Sequence, residues 1–420
     1  MAHTGTSHID LSDIDSFWTK PLAERHDLFN ELREQPGLPF FEEKDRLVTG
    51  GPGYYALTRF EDVAEVSRHP NLFSSAKGTL SAADMPDEFN EFYGSMINTD
   101  DPRHARLRRI VSRGFTPRRL EALTDNVALE AKRIVDDIID VGECDAVRSI
   151  SGRLPLTIVC DLMGVPASER EFVFDRTNTI LGASDPDYVA NDADVFAAII
   201  NASQDLATMM RDLGAVRAGN PTDDILSALI NAEIDGEALT PDELVSFFIL
   251  LVVAGNETTR NAITWGLHAF TENPAQKQRW IDDFDGVAPT AVEEIIRWAS
   301  PVIFMRRTLA KDAELCGQPL RTGEKVLMFY WAANRDPKHF VEPGKFDVMR
   351  SPNPHMGFGG PGPHYCLGAH LARREIRVMF RELLTRIPDI HATGDPIRLK
   401  SSFINGIKTM PVAFTPGGGR

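Results

Sequence analysis

The chain has 420 residues, 42% of them hydrophobic and 25% charged. That is the make-up of a soluble globular protein, not of a disordered, collagenous or disulfide-stapled one. With 61 acidic against 45 basic residues the net charge is −16, which opposes nucleic acid and anionic lipid wherever no local basic patch intervenes. The start, Met1-Ala2-His3-Thr4-Gly5-Thr6, has neither the basic nor the apolar stretch of a secretion signal. The longest apolar run, Phe247–Ala254, is far shorter than the ~20 residues of a membrane span. The expectation is a cytoplasmic protein that does not span a membrane.

In chain order, residues 1–20 are expected as a flexible N-terminal segment. Apolar residues at helical spacing predict a helix over Pro21–Glu34. Tyr54–Thr58 predicts a short strand running into a helix, Phe60–Arg68, stopped by Pro70. Further helices are predicted over about 117–140, 155–180 and 190–215. The best-marked helix opens at Thr240-Pro241-Asp242-Glu243, which supplies an N-cap, a first-turn proline and a glutamate three residues after the cap. Its next stop signal is Asn273-Pro274. A helix from 241 to 272 is roughly 48 Å long at 1.5 Å per residue and could cross a whole domain. It is apolar on nearly every face from Leu244 to Ala254, which predicts burial. Gly255-Asn256-Glu257-Thr258-Thr259 then places an acid and two hydroxyls in its middle. Burying such groups without partners is costly, so they should have partners or a task.

Strands are predicted again at Glu314–Leu320, Lys325–Trp331 and Phe403–Val412. The fold class is therefore mainly α with small antiparallel β-sheets, without the strand–helix alternation of a doubly wound fold. No repeat and no long linker appears. Gly50-Gly51-Pro52-Gly53 and Pro352-Asn353-Pro354 read as tight turns. One domain is expected over 1–420.

The four cysteines, Cys144, Cys160, Cys316 and Cys366, form no C-x-x-C pair, and buried, inert thiols are the default. Cys366 departs from it. From His355 to Gly368 five of fourteen residues are glycine and two are proline. Such a turn is stiff, yet lets a flat ligand approach closely. Ala369-His370-Leu371-Ala372-Arg373-Arg374-Glu375-Ile376 follows as a strong helix former. Cys366 at a helix start is expected to have a lowered pKa. Three uses are open to such a thiolate: a nucleophile with His364 or His370 as base, a zinc ligand, or an axial haem ligand. Zinc lacks a cluster of further ligands.

This loop resembles the haem-binding signature of the cytochrome P-450 family, F-x-x-G-x-H/R-x-C-x-G. Cys366, Gly368, His364 and Gly362 stand at the signature's offsets. The phenylalanine position holds Gly359, and Phe358 lies one residue further out. Ala254-Gly255-Asn256-Glu257-Thr258-Thr259 is similar to the family's oxygen-activation motif, A/G-G-x-D/E-T-T/S. The resemblance extends from about Tyr54 to Val412. It implies a long central helix over haem b (iron protoporphyrin IX), Cys366 as the iron ligand and O2 as co-substrate. It also implies Thr258 as hydrogen-bonding hydroxyl and Glu257 as proton-relaying acid. Ala254 would leave room beside the iron, and Phe358, Gly359, His364 and Gly368 would surround the haem.

Further residues match on the same ground. Glu294 and Arg297 in Glu293-Glu294-Ile295-Ile296-Arg297, with Arg350, are implied to form a buried structural cluster. His104 and Arg108, four apart and so on one helix face, are implied to hold haem propionates with Arg307 and His355. Ile97, Val253, Ala254, Ile303 and Phe403 match pocket-lining positions and are all apolar, which favours a largely hydrocarbon substrate. The segments Val252–Leu267, Pro289–Thr308 and Phe403–Val412 look most like actinobacterial hydroxylases of methyl-branched fatty acids, isoprenoids or sterol side chains, acting often at a terminal carbon.

From Arg103 to Arg119 there are seven arginines and no acids: Arg103, Arg106, Arg108, Arg109, Arg113, Arg118 and Arg119. Arg373, Arg374 and Arg377 follow the cysteine loop. A basic patch on an acidic protein suggests an acidic partner, and a ferredoxin fed by a ferredoxin reductase and NAD(P)H fits. The chain is expected to be a monomer. A peroxide-driven haem-thiolate peroxygenase and a non-catalytic haem or lipid-binding protein are the alternatives. Should the haem reading fail, a cysteine hydrolase comes next.

Overall fold

The computed structural model describes residues 9–418 except 44–50, 87–88, 91, 93–94, 115–116, 192–193 and 235; the side chains of 113–124 and 233–234 also fall outside the description. Gly50, the start Met1–Thr6 and the side chains of Arg113, Arg118 and Arg119 therefore lie outside the described residues.

The central helix runs over Pro241–Glu272, the bounds its end signals predict. Thr240 Oγ1 accepts the Glu243 N–H at 3.1 Å, and Glu243 Oε2 accepts the Thr240 N–H at 3.0 Å. Two backbone donors that a helix start leaves unpaired are thus satisfied. Helices Arg153–Met163, Val195–Gly219, Phe284–Ala299 and Ala369–Arg386 pack around it. Gly266 lets the last of these close in, because a Cβ there would stand 2.8 Å from Phe380 Cζ. One apolar cluster around this helix draws on residues from Met96 to Phe414.

A five-stranded sheet stands beside the helices. Its strands are β1 (Phe40–Phe41), β2 (Tyr54–Leu57), β3 (Phe73–Ser74), β4 (Phe304–Leu309) and β5 (Lys325–Phe329), in the order β1-β2-β5-β4-β3. β2 and β5 run parallel, and the other neighbours antiparallel. The remaining described sheets are small and antiparallel.

Several elements differ from expectation. The segment Ile9–Lys20 is not a loose tail. Ile9, Leu11, Phe17 and Trp18 are buried with Phe29, Phe329 and Trp331, and Trp18 Nε1 donates to the Leu11 carbonyl at 2.9 Å. Four apolar side chains removed from water hold it in place. The helix expected over 155–180 is two helices, Arg153–Met163 and Arg170–Gly182. Gly164 ends the first at φ +72°, and Pro166 keeps the chain from resuming at once. Glu314–Leu320 is a hairpin of two three-residue strands, Ala313–Leu315 and Gln318–Leu320. Strand β5 stops at Phe329 and turns into a helix, Tyr330–Ala333. Phe403 lies in a loop ahead of strands Ile407–Thr409 and Pro411–Ala413.

Candidate active site

A chamber lies between the central helix and the cysteine loop. The central helix lines it with Phe247, Leu250, Leu251, Ala254, Gly255, Thr258, Thr259 and Ala262, positions of one helical face. The opposite wall carries Phe358, Gly359, His364, Cys366 and Gly368, then Leu371, Ala372, Glu375 and Ile376 of the helix Ala369–Arg386. His104, Arg108 and Arg307 edge it, and Ile97 also faces it.

The accessible surface of Cys366 belongs to this chamber, while the thiol itself lies deep in the molecule. Burial raises the Cys366 pKa, and a bond from the Gly368 N–H and the charges of Arg108 and Arg373 oppose it only in part. The expected lowering by a helix start is thus overturned by desolvation. A cation in the chamber would reverse that balance. Cys366 N–H donates to the Phe358 carbonyl at 3.0 Å, which closes the loop on Phe358. The glycines of this loop do two jobs. Gly359, at φ +87°, leaves the chamber side open, with nothing nearer than 3.8 Å to a Cβ. Gly362, at φ +150°, presses on the helix Phe60–Arg68, where a Cβ would meet the Ser67 carbonyl at 2.2 Å.

Three cationic or ring side chains converge on the chamber edge. Arg307 is buried and has no carboxylate partner among the described residues; its Nη1 donates only to the Arg306 carbonyl at 2.8 Å. Burial lowers its pKa, against the pull of Tyr330 and Asp100. Arg306, next along β4, turns the other way to the Ala83 carbonyl and Asp84, as a two-residue strand period requires. Arg108 donates to the Tyr365 carbonyl at 2.7 Å. His104 packs against His364 with ring centres 4.1 Å apart and planes tilted by 35°. Burial, with Arg307, His104 and Arg108, pushes His364 down to about 2. A histidine so weakly basic is a poor proton acceptor for Cys366, and His370 is exposed outside the chamber. A cysteine hydrolase therefore lacks its base.

The donor set fits an iron porphyrin. A thiol faces a space bounded by glycines and apolar side chains, and a buried arginine without an acid stands where a porphyrin carboxylate would need one.

Thr258 Oγ1 donates to the Ala254 carbonyl at 2.8 Å and presents its lone pairs to the chamber. Glu257 does not line the chamber. One residue turns a helical side chain by about 100°, and Glu257 points instead at Arg260 and at Asn261 Nδ2, 3.1 Å away. Nor does His355 line it: the His355 ring is held 2.9 Å from Glu293, and its Nδ1 accepts the Gly357 N–H. Against burial, Arg373 and His355 hold the Glu293 carboxyl down to about 2.

Glu294, Arg297 and Arg350 meet. Arg297 makes a two-pronged bond to Glu294 at 2.7 and 2.8 Å, and Arg350 Nε reaches Glu294 at 3.0 Å. Carbonyls of Asn334, Pro343 and Lys345 take the remaining Arg297 donors, which ties the segment before the cysteine loop to the helix Phe284–Ala299.

A second chamber adjoins the first. Leu250 lines both; Val253 and Phe403 face the outer one and Ala254 the inner one. Ile303 faces neither. It is buried among Phe17, Trp18 and Trp331, while its neighbours Val302 and Pro301 line the inner chamber. Sequence reasoning missed Glu375, a buried carboxyl on the inner wall that burial alone raises to about 8. The signal was present: Gly368, Leu371, Ala372, Glu375 and Ile376 share one helical face.

The basic stretch is partly neutralised in space. Arg106 pairs with Glu243 at 3.0 Å and Glu237 at 3.3 Å, and Arg103 and Arg109 lie 3.7 and 3.9 Å from the same two acids. Arg373 pairs with Glu293 and Arg377 with Asp285. Arg374 stays exposed. Of the other cysteines, burial pushes Cys144 up to about 11 and Cys160 to about 12. Cys316 is exposed, against the expectation of burial, but local desolvation and its bond to Asp62 push it to about 12. No helix among the described residues is long and apolar enough to cross a membrane.

Known proteins resemble this chain along most of its length. The cytochrome P-450 family model matches residues 196–388. A methyl-branched lipid omega-hydroxylase of Mycobacterium tuberculosis is 48% identical over 97% of this chain and 95% of its own. A steroid C26-monooxygenase of Mycolicibacterium smegmatis is 42% identical over 88% of this chain and 85% of its own. A Mycobacterium marinum cytochrome P-450 solved in complex with pseudoionone has a TM-score of 0.91 and 42% identity, covering 97% of this chain and 98% of that one.

Proposed function

The chain belongs to the cytochrome P-450 family and is a monooxygenase, and on that premise we propose that it hydroxylates a terminal carbon of a methyl-branched fatty acyl chain, isoprenoid or sterol side chain. The observation that carries this reading is the pair of chambers meeting at Leu250. A long apolar substrate fills the outer chamber along Val253 and Phe403 and presents one end to the inner chamber at Ala254. The names of two relatives, a methyl-branched lipid omega-hydroxylase and a steroid C26-monooxygenase, support the same chemistry.

Haem b bound through the Cys366 thiolate supplies the activation of O2. The chain supplies position and protons. His104, Arg108 and Arg307 would hold the propionates, and Phe358, Gly359, His364 and Gly368 would bound the ring on the thiolate side. Ala254, with no bulk beyond Cβ, keeps the space over the ring open. Thr258, its own proton engaged by the Ala254 carbonyl, would accept a hydrogen bond from a water in the chamber and so help deliver protons there. Glu257 stands one residue behind and orders Arg260 and Asn261. Apolar walls exclude bulk water.

Electrons come, in this reading, from a ferredoxin and its reductase at the expense of NAD(P)H, and the enzyme works as a cytoplasmic monomer. Arg374 and the arginine-bearing helices beside the cysteine loop offer such a partner a cationic face on an acidic protein. The test is reconstitution with ferredoxin, reductase and a methyl-branched lipid, followed by mass spectrometry. The expected product is the terminal alcohol. Mid-chain alcohols would overturn the terminal assignment. Turnover with peroxide and none with ferredoxin would overturn the electron route.

A further inference from the structure

We propose that Ser401 is a head-group site that selects lipids ending in a neutral oxygen function — ketone, ester or alcohol — over free carboxylates. The proposal rests on the lipid reading above and deepens it. Ser401 is buried and lines the outer chamber. Its Oγ accepts two backbone N–H groups, those of Phe403 and Ile404, each at 3.1 Å. Both hydroxyl lone pairs are thereby used, and what the group has left is its proton. Two donated bonds polarise that proton and make it the better donor. No protein acceptor takes it among the described residues. A carbonyl or hydroxyl oxygen of a ligand in the chamber would.

Charge decides which oxygen. No lysine, arginine or histidine is among the described residues that line the outer chamber. Glu43, the one acid among the described residues of its wall, is already engaged by Lys325 and by the Gly53 N–H. An ionised carboxylate entering this space would lose its water without gaining a counter-charge from the described lining residues, and it would meet the Glu43 carboxylate. An uncharged ester or ketone loses far less on burial and receives the Ser401 hydrogen bond. The opposite end of the same molecule then lies toward Leu250 and the inner chamber. Head recognition and terminal attack are two consequences of one orientation.

The test uses three matched ligands, phytane, phytanic acid and methyl phytanate, titrated into the ferric holoenzyme at pH 8 while the Soret band is followed. The ester is expected to bind at least ~10-fold more tightly than the acid and ~5-fold more tightly than the hydrocarbon. Ser401→Ala should abolish the ester-over-hydrocarbon preference and leave the hydrocarbon affinity within about twofold. Hydrocarbon binding also reports that the variant is folded. Should Ser401→Ala not fold, Ser401→Cys, of similar size but a weak donor, is expected to lose the same preference. An acid that binds as well as the ester, or a variant that weakens both neutral ligands alike, would overturn the proposal while leaving the lipid reading intact. No spectral shift with any of the three would overturn both.

Discussion

Among the described residues are two buried Glu–Arg pairs, each three residues apart on a helix, and they are built differently. Around Glu294–Arg297 the acid receives Arg297, Arg350, the Asp347 N–H and the Asn353 side chain. Around Glu257–Arg260, one carboxylate oxygen, the Arg260 Nε and the Asn256 Oδ1 have no partner among the described residues. A buried ion pair is only as good as the bonds that fill its remaining valences. The first pair is a clamp with its capacity filled. The second, directly behind Thr258, keeps hydrogen-bonding capacity in reserve beside the chamber. The same four-residue pattern, E-x-x-R, therefore marks scaffold in one place and adaptable polar structure in the other.

Substitutions can break this contrast. Arg297→Ala should have the largest effect, since it leaves Glu294 buried and facing one cation fewer. A loss of about 3–5 kcal/mol is expected in denaturant unfolding. A loss near zero would show that the clamp does not hold the scaffold.

Glu375 adds a buried acid that, unlike those two, has no ion partner among the described residues to hold it charged. Its folded pKa of about 8 lies above the ordinary 4.5, so the folded state keeps a proton that the unfolded chain releases. Stability is then greatest below pH 4.5 as far as this group alone is concerned, and falls as pH rises toward 8. The slope reaches at most about 1.4 kcal/mol per pH unit. Glu375→Gln should flatten unfolding midpoints measured between pH 5 and 8. An unchanged slope would place that carboxyl in water or beside a cation.

Glu257→Gln should cost less than breaking the clamp, about 1–2 kcal/mol, because one oxygen is already unpartnered and the amide can still accept from Asn261. A loss as large as that of Arg297→Ala would erase the contrast. Thr258→Ala is expected to leave stability within about 0.5 kcal/mol. Its effect is on coupling: more electrons should leave as peroxide and fewer as product. Unchanged coupling would remove Thr258 from proton handling.

The ends of the central helix were legible because a capping box and Asn273-Pro274 are local signals. The cysteine loop was legible because its spacing is rigid. What was not legible depends on rotation and register. Nothing local says that Glu257 turns from the chamber while Thr258 faces it, or that Ile303 turns inward while Val302 lines the wall. Nor does spacing show that the His355 ring pairs with Glu293 and stays out of the chamber. Arg106 read as part of an acid-free stretch because Glu237 and Glu243 reach it from more than a hundred residues away. The N-terminal Phe17 and Trp18 lack periodicity, and only the distant Phe29, Phe329 and Trp331 give them a core.

All of this depends on sulfur coordination by Cys366. The reduced, haem-loaded protein should give a carbon-monoxide adduct with the strongly red-displaced Soret band of thiolate ligation, and Cys366→Ser should lose it. An unshifted band in the unsubstituted protein, or a red-displaced one that survives the serine substitution, would contradict the assignment.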